Sequence, residues 1–417
     1  MIKLLHFSDA HIDIANHGKQ DANTGLPVRV LDFLKALDTI IDAAVDEKVD
    51  LVIFSGDAYK DRTPVPTFQR EWGKRIARLS QEKIPTLLVV GNHDLSPATG
   101  RAHALQEFST LQIPFVRVID KPQLLLPDEL FGMQLQVIGI PWVSRSSLMA
   151  ALADKGEAID NIYKELGSRL GEVIESYIAR LNPDLPTIFT AHASVEGAKY
   201  GAERSVMLGS DLVFPPGLLK DKRFDYVAMG HIHKAQNLNE RSHPPIIYPG
   251  SIEKVDFGEA TDDKYFVIAE IERGNTKVSW RKLHGRKYID RRIDLTNPIN
   301  VEGQLQEALG PKENLKDAIV RLVISYPMDM ESLIDEQALR FYAEDAFEFH
   351  PKRQPHIKTR IRLSDEVPVG SLPPDELLDL YWKTIEVAPD DRDLLNQLGF
   401  EIIRSAENAS MVDIPEE

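Results

Sequence analysis

Along the first 280 or so residues, short apolar runs alternate with longer stretches in which apolar residues recur every three or four positions. Ile2 to Phe7, Leu51 to Phe54, Thr86 to Val90, Thr187 to Thr190 and Tyr226 to Met229 have the length and character of buried strands. Between them, Val30 to Val45 places Leu34, Leu37, Ile41 and Val45 on one helical face, and Phe68 to Leu79 and Ile159 to Leu181 read the same way. Trp72, Ile76 and Leu79 are read as core. Further strands are expected near Ile246 to Tyr248 and over Tyr265 to Ile271. The alternation predicts a layered α/β domain.

From residue 285 the pattern shrinks. It predicts a strand (Tyr288 to Leu295), a helix (Val301 to Leu309), a strand (Ile319 to Ser325), a helix (Met330 to Ala346) and a strand (Ile357 to Leu363). A proline-rich break runs from Val367-Pro368 to Pro373-Pro374. An amphipathic helix pair is expected after it. Leu377, Leu378, Tyr381, Trp382 and Ile385 share one face of the first helix, and Leu394, Leu395, Leu398, Ile402 and Ile403 share one face of the second. Ala388-Pro389 is expected to end the first helix, and Asp390 or Asp391 to cap the second. Two short helices cannot bury both stripes against each other alone, so the pair should dock on its own chain or on a partner.

Composition narrows the class. A chain of 417 residues fits two or three domains at about 150 residues each. With 43% hydrophobic residues it can build full cores. The absence of cysteine excludes disulfides, Fe–S clusters and thiolate chemistry. No apolar run approaches the roughly 20 residues that span a bilayer, and the first residues show no signal-peptide pattern, so a cytoplasmic protein with no membrane partner is expected. The net charge of −16 argues weakly against nucleic acid. It is concentrated at one end, however: Ser364 to Glu417 holds 14 acidic and 3 basic residues.

The chemistry lies where the strands stop. Asp9-Ala10-His11, Gly56-Asp57, Gly91-Asn92-His93-Asp94, Ala191-His192 and Gly230-His231-Ile232-His233 each follow one of the five apolar runs. Strand ends hold side chains rigidly while exposing them to substrate. Carboxylates, imidazoles and one amide, without thiolate, suit two hard-to-borderline divalent ions such as Mn²⁺, Fe²⁺ or Zn²⁺. Two ions about 3.5–4 Å apart need a bridging ligand, and a carboxylate with two oxygens serves best; Asp57 is assigned that place. His231 and His233, two apart on an extended segment, point to one side and can each serve a different ion.

These motifs, in this order, resemble those of the calcineurin-like metallophosphoesterase superfamily. The resemblance implies two central sheets flanked by helices. It also implies a dinuclear site in which Asp9, His11 and His233 complete one ion and Asn92, His192 and His231 the other. His93 is then the catalytic residue that binds no metal, protonating the leaving oxygen or stabilising its charge. Asp94 either orients His93 and its loop or caps a turn. His6 is expected to be a satisfied core or second-layer residue, and His243, His284, His350 and His356 to lie on the surface. His17 and His103 are the next candidates for the substrate rim.

Three features choose among phosphoesterases. The segment Tyr248-Pro249-Gly250-Ser251-Ile252-Glu253-Lys254-Val255-Asp256-Phe257-Gly258-Glu259 resembles one in SbcD-type nucleases, with Lys254 where arginine is usual. Arg273 to Arg292 holds eight basic residues and one acid, interleaved with Trp280 and Tyr288, and could hold DNA phosphates, with Arg281 and Lys282 as candidates. The 285–368 unit matches a capping domain in place and size. The expected organisation is a nuclease domain over 1–284, a DNA-engaging capping domain over 285–368 and a helix pair over 369–417. One position departs from the family: Lys60, where many members carry a histidine that helps process DNA ends. Lys60 and Arg62 are therefore candidate phosphate contacts.

The resemblance implies an Mn²⁺-dependent DNA exonuclease or endonuclease. Such a nuclease forms a homodimer and grips the coiled-coil root of an SMC-like ATPase, SbcC, through the terminal helices. The competing readings are a phosphodiesterase or phosphatase for nucleotides or small phosphoesters, and a non-catalytic scaffold that keeps the fold.

Overall fold

The computed structural model describes residues 1–12, 20–96, 101–143, 159–201, 213–356, 373–384, 387 and 389–409. Its contacts divide the chain into two compact units. One comprises Met1–Ile293, Glu302–Val323 and Asp335–Lys352; the other comprises Asp294–Val301, Ile324–Ile334 and Arg353–Glu417.

The first unit is built on two six-stranded sheets. Strands β1 (Ile2–Phe7), β2 (Leu51–Phe54), β3 (Thr86–Val89) and β4 (Val116–Ile119) run parallel in one of them. The second contains β5 (Gln123–Leu125), β6 (Gln136–Ile140), β7 (Thr187–His192), β10 (Tyr226–Gly230), β11 (Gln236–Asn237) and β12 (Ile246–Tyr248), ordered β11-β12-β10-β7-β6-β5. A small parallel pair, β8 (Ser194–Val195) and β9 (Val213–Phe214), lies outside both. Antiparallel β13 (Lys264–Glu272) and β14 (Asn275–Leu283) complete the first sheet, giving the order β14-β13-β1-β2-β3-β4.

Alternation along each strand sorts side chains between layers. Leu4, Leu51, Ile53, Leu87 and Val89 join Val137, Ile188, Tyr226 and Ala228 in one cluster that fills the space between the sheets. Their neighbours Leu5, Val52 and Leu88 face the helices Val28–Asp46 and Pro66–Gln81. Those helices present Leu34, Leu37, Ile41, Trp72, Ile76 and Leu79 to the sheet, the apolar stripes expected of them. Leu170, Ile174 and Ile178 of the Ile159–Ile178 helix cover the second sheet in the same way. The layered α/β fold with two sheets is thus as the spacing and the resemblance implied.

A three-stranded sheet follows, β15 (Tyr288–Asp294), β16 (Ile319–Pro327) and β17 (Glu348–His356), in that order, and the boundary between the two units passes along its strands. The expected Val301–Leu309 helix is present. The single helix expected over Met330 to Ala346 is instead a 3-10 turn, Met328–Leu333, and a helix, Glu336–Tyr342. Asp335 divides them: extended in backbone, its carboxylate accepts hydrogen bonds from Gln337 N and Ala338 N at 2.9 and 3.1 Å. The strand Glu348–His356 was not expected, because Pro351 and Pro355 disguise it. At the edge of a sheet a residue without an N–H is tolerated. The strand expected over Ile357 to Leu363 and the proline-rich break lie outside the described residues.

In the second unit, helices Pro374–Thr384 and Pro389–Ala409 pack on each other, with Leu378 against Gly399 and Asn396 Nδ2 donating to Asp379 Oδ1 at 3.0 Å. Pro389 opens the second helix, so Asp390 and Asp391 lie in its first turn and not at its cap. Leu394, Leu398 and Ile402 stay exposed.

Candidate metal centre

All five motifs meet at the C-terminal ends of the parallel strands, where open α/β sheets build their sites. Asp9 and His11 follow β1, Asp57 follows β2, Asn92 and His93 follow β3, His192 closes β7, and His231 and His233 follow β10. The loops are pinned to one another: Asp9 N donates to Gly56 O at 2.9 Å and His11 N to Asp57 O at 3.1 Å. Asp9, His11, Asp57 and His231 all have positive φ, at 52°, 40°, 63° and 100°. Such backbone is costly for residues with a Cβ and persists where surrounding contacts over-determine it. Two glycines make room. A Cβ on Gly91 would meet Asp57 Oδ1 at 2.2 Å, and one on Gly230 would meet Ser55 O at 2.0 Å.

The donor atoms converge. Asp9, His11 and His233 form one cluster, Asp57, His192 and His231 a second, and His11, Asp57 and His93 a third that links them. His11 Nε2 lies 2.9 Å from His233 Nε2, and His192 Nε2 lies 2.9 Å from Asn92 Oδ1 and 3.3 Å from Asp57 Oδ2. Ligands at right angles about one ion, each about 2.1 Å from it, stand ~3 Å apart, so these separations fit a shared cation. Asp57 faces both clusters, with Oδ2 3.7 Å from His11 Nε2. The residues present therefore fit two divalent ions.

Outer contacts aim the rings. His192 Nδ1 donates to Ser55 O at 2.7 Å, and His233 Nδ1 to Glu259 Oε1 at 2.7 Å, which turns each Nε2 toward the donor cluster. Trp142 packs on His192 and His231, with ring centroids 6.0 and 4.8 Å away. Glu259, Trp142 and the Ser55 carbonyl were not anticipated as site residues. Only Glu259 carried a signal, as the last residue of the Tyr248–Glu259 segment.

The electrostatics agree with a cation site. Burial alone would raise the Asp57 carboxyl, but the charge and hydrogen bond of His192, with His93 and His11 behind it, hold it far below the carboxylate range. Burial would lower His192, yet the facing Asp57 carboxylate outweighs it and lifts the imidazole to about 9. That pair holds a proton where a metal can replace it. Burial, then the neighbouring His233, pushes His11 well down, toward the neutral form a ligand needs.

His93 stands beside His11 and Asp57 at the edge of the clusters. Its backbone N donates to Asp57 Oδ1 at 2.8 Å, its Nδ1 donates to the Lys60 carbonyl at 2.6 Å, and its ring stands edge-on to His11 at 5.1 Å. Asp94 is fully buried and accepts from Gly91 N, Asp57 N and Ala58 N at 2.9–3.0 Å. It ties two ligand loops together and touches neither His93's ring nor open solvent, so its part is positional; burial, then the Asp57 charge, raises its carboxyl to about 7. His6 is the satisfied core histidine expected, bonded to Tyr226 Oη and Ser55 Oγ and lowered by burial to about 3. Lys60 and Arg62 are exposed on the loop after β2. Arg281 and Lys282 are about half exposed and paired to Glu47 and Asp263 at 3.0 and 2.7 Å. His17 lies outside the described residues. His103 is mostly covered and stands 3.8 Å from Asp120.

Residues 2–235 match the calcineurin-like phosphoesterase family. The chain belongs to that family. It is a metal-dependent phosphoesterase by descent, and the family's dimetal centre has its counterpart in the clusters above. The chain is also 23% identical, over 360 residues, to the DNA double-strand break repair protein Mre11 of Archaeoglobus fulgidus, covering 83% of this chain and 74% of that protein. It is 24% identical, over 310 residues, to the uncharacterized metallophosphoesterase YhaO of Bacillus subtilis, covering 73% of this chain and 66% of that one. Among solved structures it is similar to TT1561 of Thermus thermophilus, at 15% identity and a TM-score of 0.38, over 67% of this chain and 98% of that one. No helix of the described residues is long and apolar enough to cross a membrane.

Proposed function

We propose that the protein is an Mn²⁺-dependent DNA nuclease, cutting phosphodiester bonds as exonuclease or endonuclease during DNA end processing. In this reading it is the nuclease subunit of an SbcC–SbcD type complex in the cytoplasm, and works as a homodimer. The observation that carries the reading is the similarity to a DNA double-strand break repair protein over 83% of the chain, well past the family match that ends at residue 235. The Tyr248–Glu259 segment supports it, since Glu259 there reaches a metal-type histidine.

In this reading Asp9, His11 and His233 hold one ion, Asn92, His192 and His231 the other, and Asp57 both. Two bound divalent ions would supply Lewis acidity and an acidified water at neutral pH. The neutral amide of Asn92 limits the negative charge around them. His93, with Nδ1 committed to the Lys60 carbonyl, offers Nε2 to give a proton to the leaving oxygen. Lys60 and Arg62 stand on the same loop and contact flanking phosphates. Asp94 keeps the two loops in register. The test is cleavage by purified protein with Mn²⁺ of linear double-stranded DNA, single-stranded DNA and a chromogenic phosphodiester. Chelator-sensitive cleavage of DNA is expected; hydrolysis of the small ester alone would replace this reading with a small-molecule phosphodiesterase.

Arg281 and Lys282 are assigned to DNA phosphates. Their ion pairs are exposed, and such pairs contribute little in water, so they are a small obstacle to exchange for phosphate. The Arg281→Gln, Lys282→Gln double variant should bind DNA less tightly, with a salt slope shallower by about 2. Hydrolysis of the small diester should be unaffected, and an unaltered slope would remove both residues from the DNA path.

The terminal helices are assigned to the coiled-coil root of the SMC-like ATPase. Tyr381, Leu394, Leu398 and Ile402 are 48–70% exposed, an uncovered apolar row on a helix pair. Deleting residues 370–417 should leave Mn²⁺-dependent cleavage intact and abolish pull-down of the ATPase's coiled-coil fragment. Equal capture by full-length and truncated protein would refute the assignment.

A further inference from the structure

Glu259 is buried beneath the metal centre and its carboxylate is fully engaged. Oε1 accepts from His233 Nδ1 at 2.7 Å, while Oε2 takes Lys264 Nζ at 2.6 Å, Val255 N at 3.1 Å and Ser251 Oγ at 3.2 Å. Lys264 Nζ also reaches Ser251 Oγ at 2.6 Å and the His233 carbonyl at 3.3 Å, so backbone and ring of His233 are held from one side.

Glu259 sits at the end of a 3-10 turn, Phe257–Glu259, capped by Asp256, whose Oδ1 accepts from Gly258 N at 2.7 Å. Glu259 N bonds back to Asp256 O, and Asp262 N to Glu259 O. The turn is only three residues long and is hydrogen-bonded on both sides. At its other end stands Phe257, gripped by one residue from each strand of the three-stranded sheet. The Arg321 guanidinium of β16 lies 4.4 Å over its ring, Tyr288 of β15 meets it edge-on at 5.2 Å, and His350 of β17 edge-on at 5.8 Å. Arg321 is itself locked by a two-pronged pair with Asp290 of β15, at 2.8 and 2.7 Å.

We propose that the Phe257–Glu259 turn is a lever through which the three-stranded sheet sets the imidazole of His233: Phe257 is the grip, and Glu259 is the positioning residue that fixes the ring and its tautomer. The inference rests on the reading of His233 as a metal ligand. A carboxylate behind a ligating histidine typically governs metal affinity by about 10–100-fold. Here that carboxylate is carried on a turn whose far end packs against another sheet, so a displacement of Arg321, Tyr288 or His350 is transmitted to one metal position and not to the other.

The test is calorimetric titration of the full-length protein with Mn²⁺, resolving two sites. Glu259→Gln should weaken one site by about 10–100-fold. Phe257→Ala should weaken the same site by about tenfold, and Phe257→Tyr, which keeps the ring, should restore it. The double variant should be no weaker than Glu259→Gln alone, because both changes act through one contact. Wild-type affinities in Phe257→Ala, or additive losses in the double variant, would overturn the lever. His233→Ala separates the two readings. If it keeps both sites, the ligand assignment itself fails; if it loses the site that Phe257→Ala leaves untouched, only the lever fails. Should Glu259→Gln not fold, the ¹⁵N shifts of the His233 ring in metal-free Phe257→Ala and Phe257→Tyr decide. A ring that keeps its Nδ1–H tautomer and order without Phe257 refutes the proposal.

Discussion

Asp57→Ala is expected to lose both metal ions and all measurable hydrolysis. Asp57 faces both candidate ligand clusters: Oδ2 is 3.3 Å from His192 Nε2 and 3.7 Å from His11 Nε2, and Oδ1 accepts from His93 N at 2.8 Å. Its removal takes a ligand from each ion and leaves the buried imidazole of His192 without its counter-charge. It also frees the loop that carries His93. Loss of one partner from a buried charged set typically costs about 3–5 kcal/mol, so the thermal midpoint is expected to fall as well. Elemental analysis after gel filtration in Mn²⁺ checks the assignment. Two ions retained per chain would show that Asp57 does not bridge.

His93→Ala is expected to behave differently: both ions stay, and turnover falls by about 10²–10⁴-fold. The separation follows from geometry. His93 Nδ1 is used by the Lys60 carbonyl and the ring stands beside His11, while the 2.9 Å donor separations that define the ion positions are made without it. His93 does stand in a loose cluster with His11 and Asp57, which gives a ligand role a definite signature. If His93→Ala binds one ion fewer, it is a ligand; if turnover is nearly normal, it takes no part in the chemistry. A leaving group of low pKa offers a second check. It needs little protonation, so the loss should shrink with a nitrophenyl ester.

Fold and site were legible to different depths. The strands and helices of the first 280 residues could be read because each buries a face, and burial imposes a period of 2 or 3.6 on the sequence. Trp72 and Ile76 fell in the core for that reason. The reading weakened past residue 285, where caps and edge position set the element boundaries. Asp335 interrupted an apolar pattern that looked continuous, and Pro351 and Pro355 hid an edge strand, because capping and edge position are local hydrogen-bond facts that hydropathy does not record.

The candidate ligand residues could be read because metal chemistry admits few side-chain types, and the strand ends gave them an order. What stands behind them did not. Glu259 lies 26 residues from His233 and Ser55 lies 137 from His192, and no spacing rule joins such pairs. Lys60, Arg281 and Lys282 illustrate the opposite case, being conspicuous as charges while only the folded surface shows that Arg281 and Lys282 already have acidic partners. The sequence by itself determined the layering, the strand-end placement of the candidate ligands and their chemical type, since periodicity and residue chemistry are local properties. Only the tertiary structure decided which ring nitrogen faces the centre, that Asp94 braces loops, and that Phe257 ties the small sheet to His233. Those depend on contacts between segments far apart in the chain, which form only when the sheets close on one another.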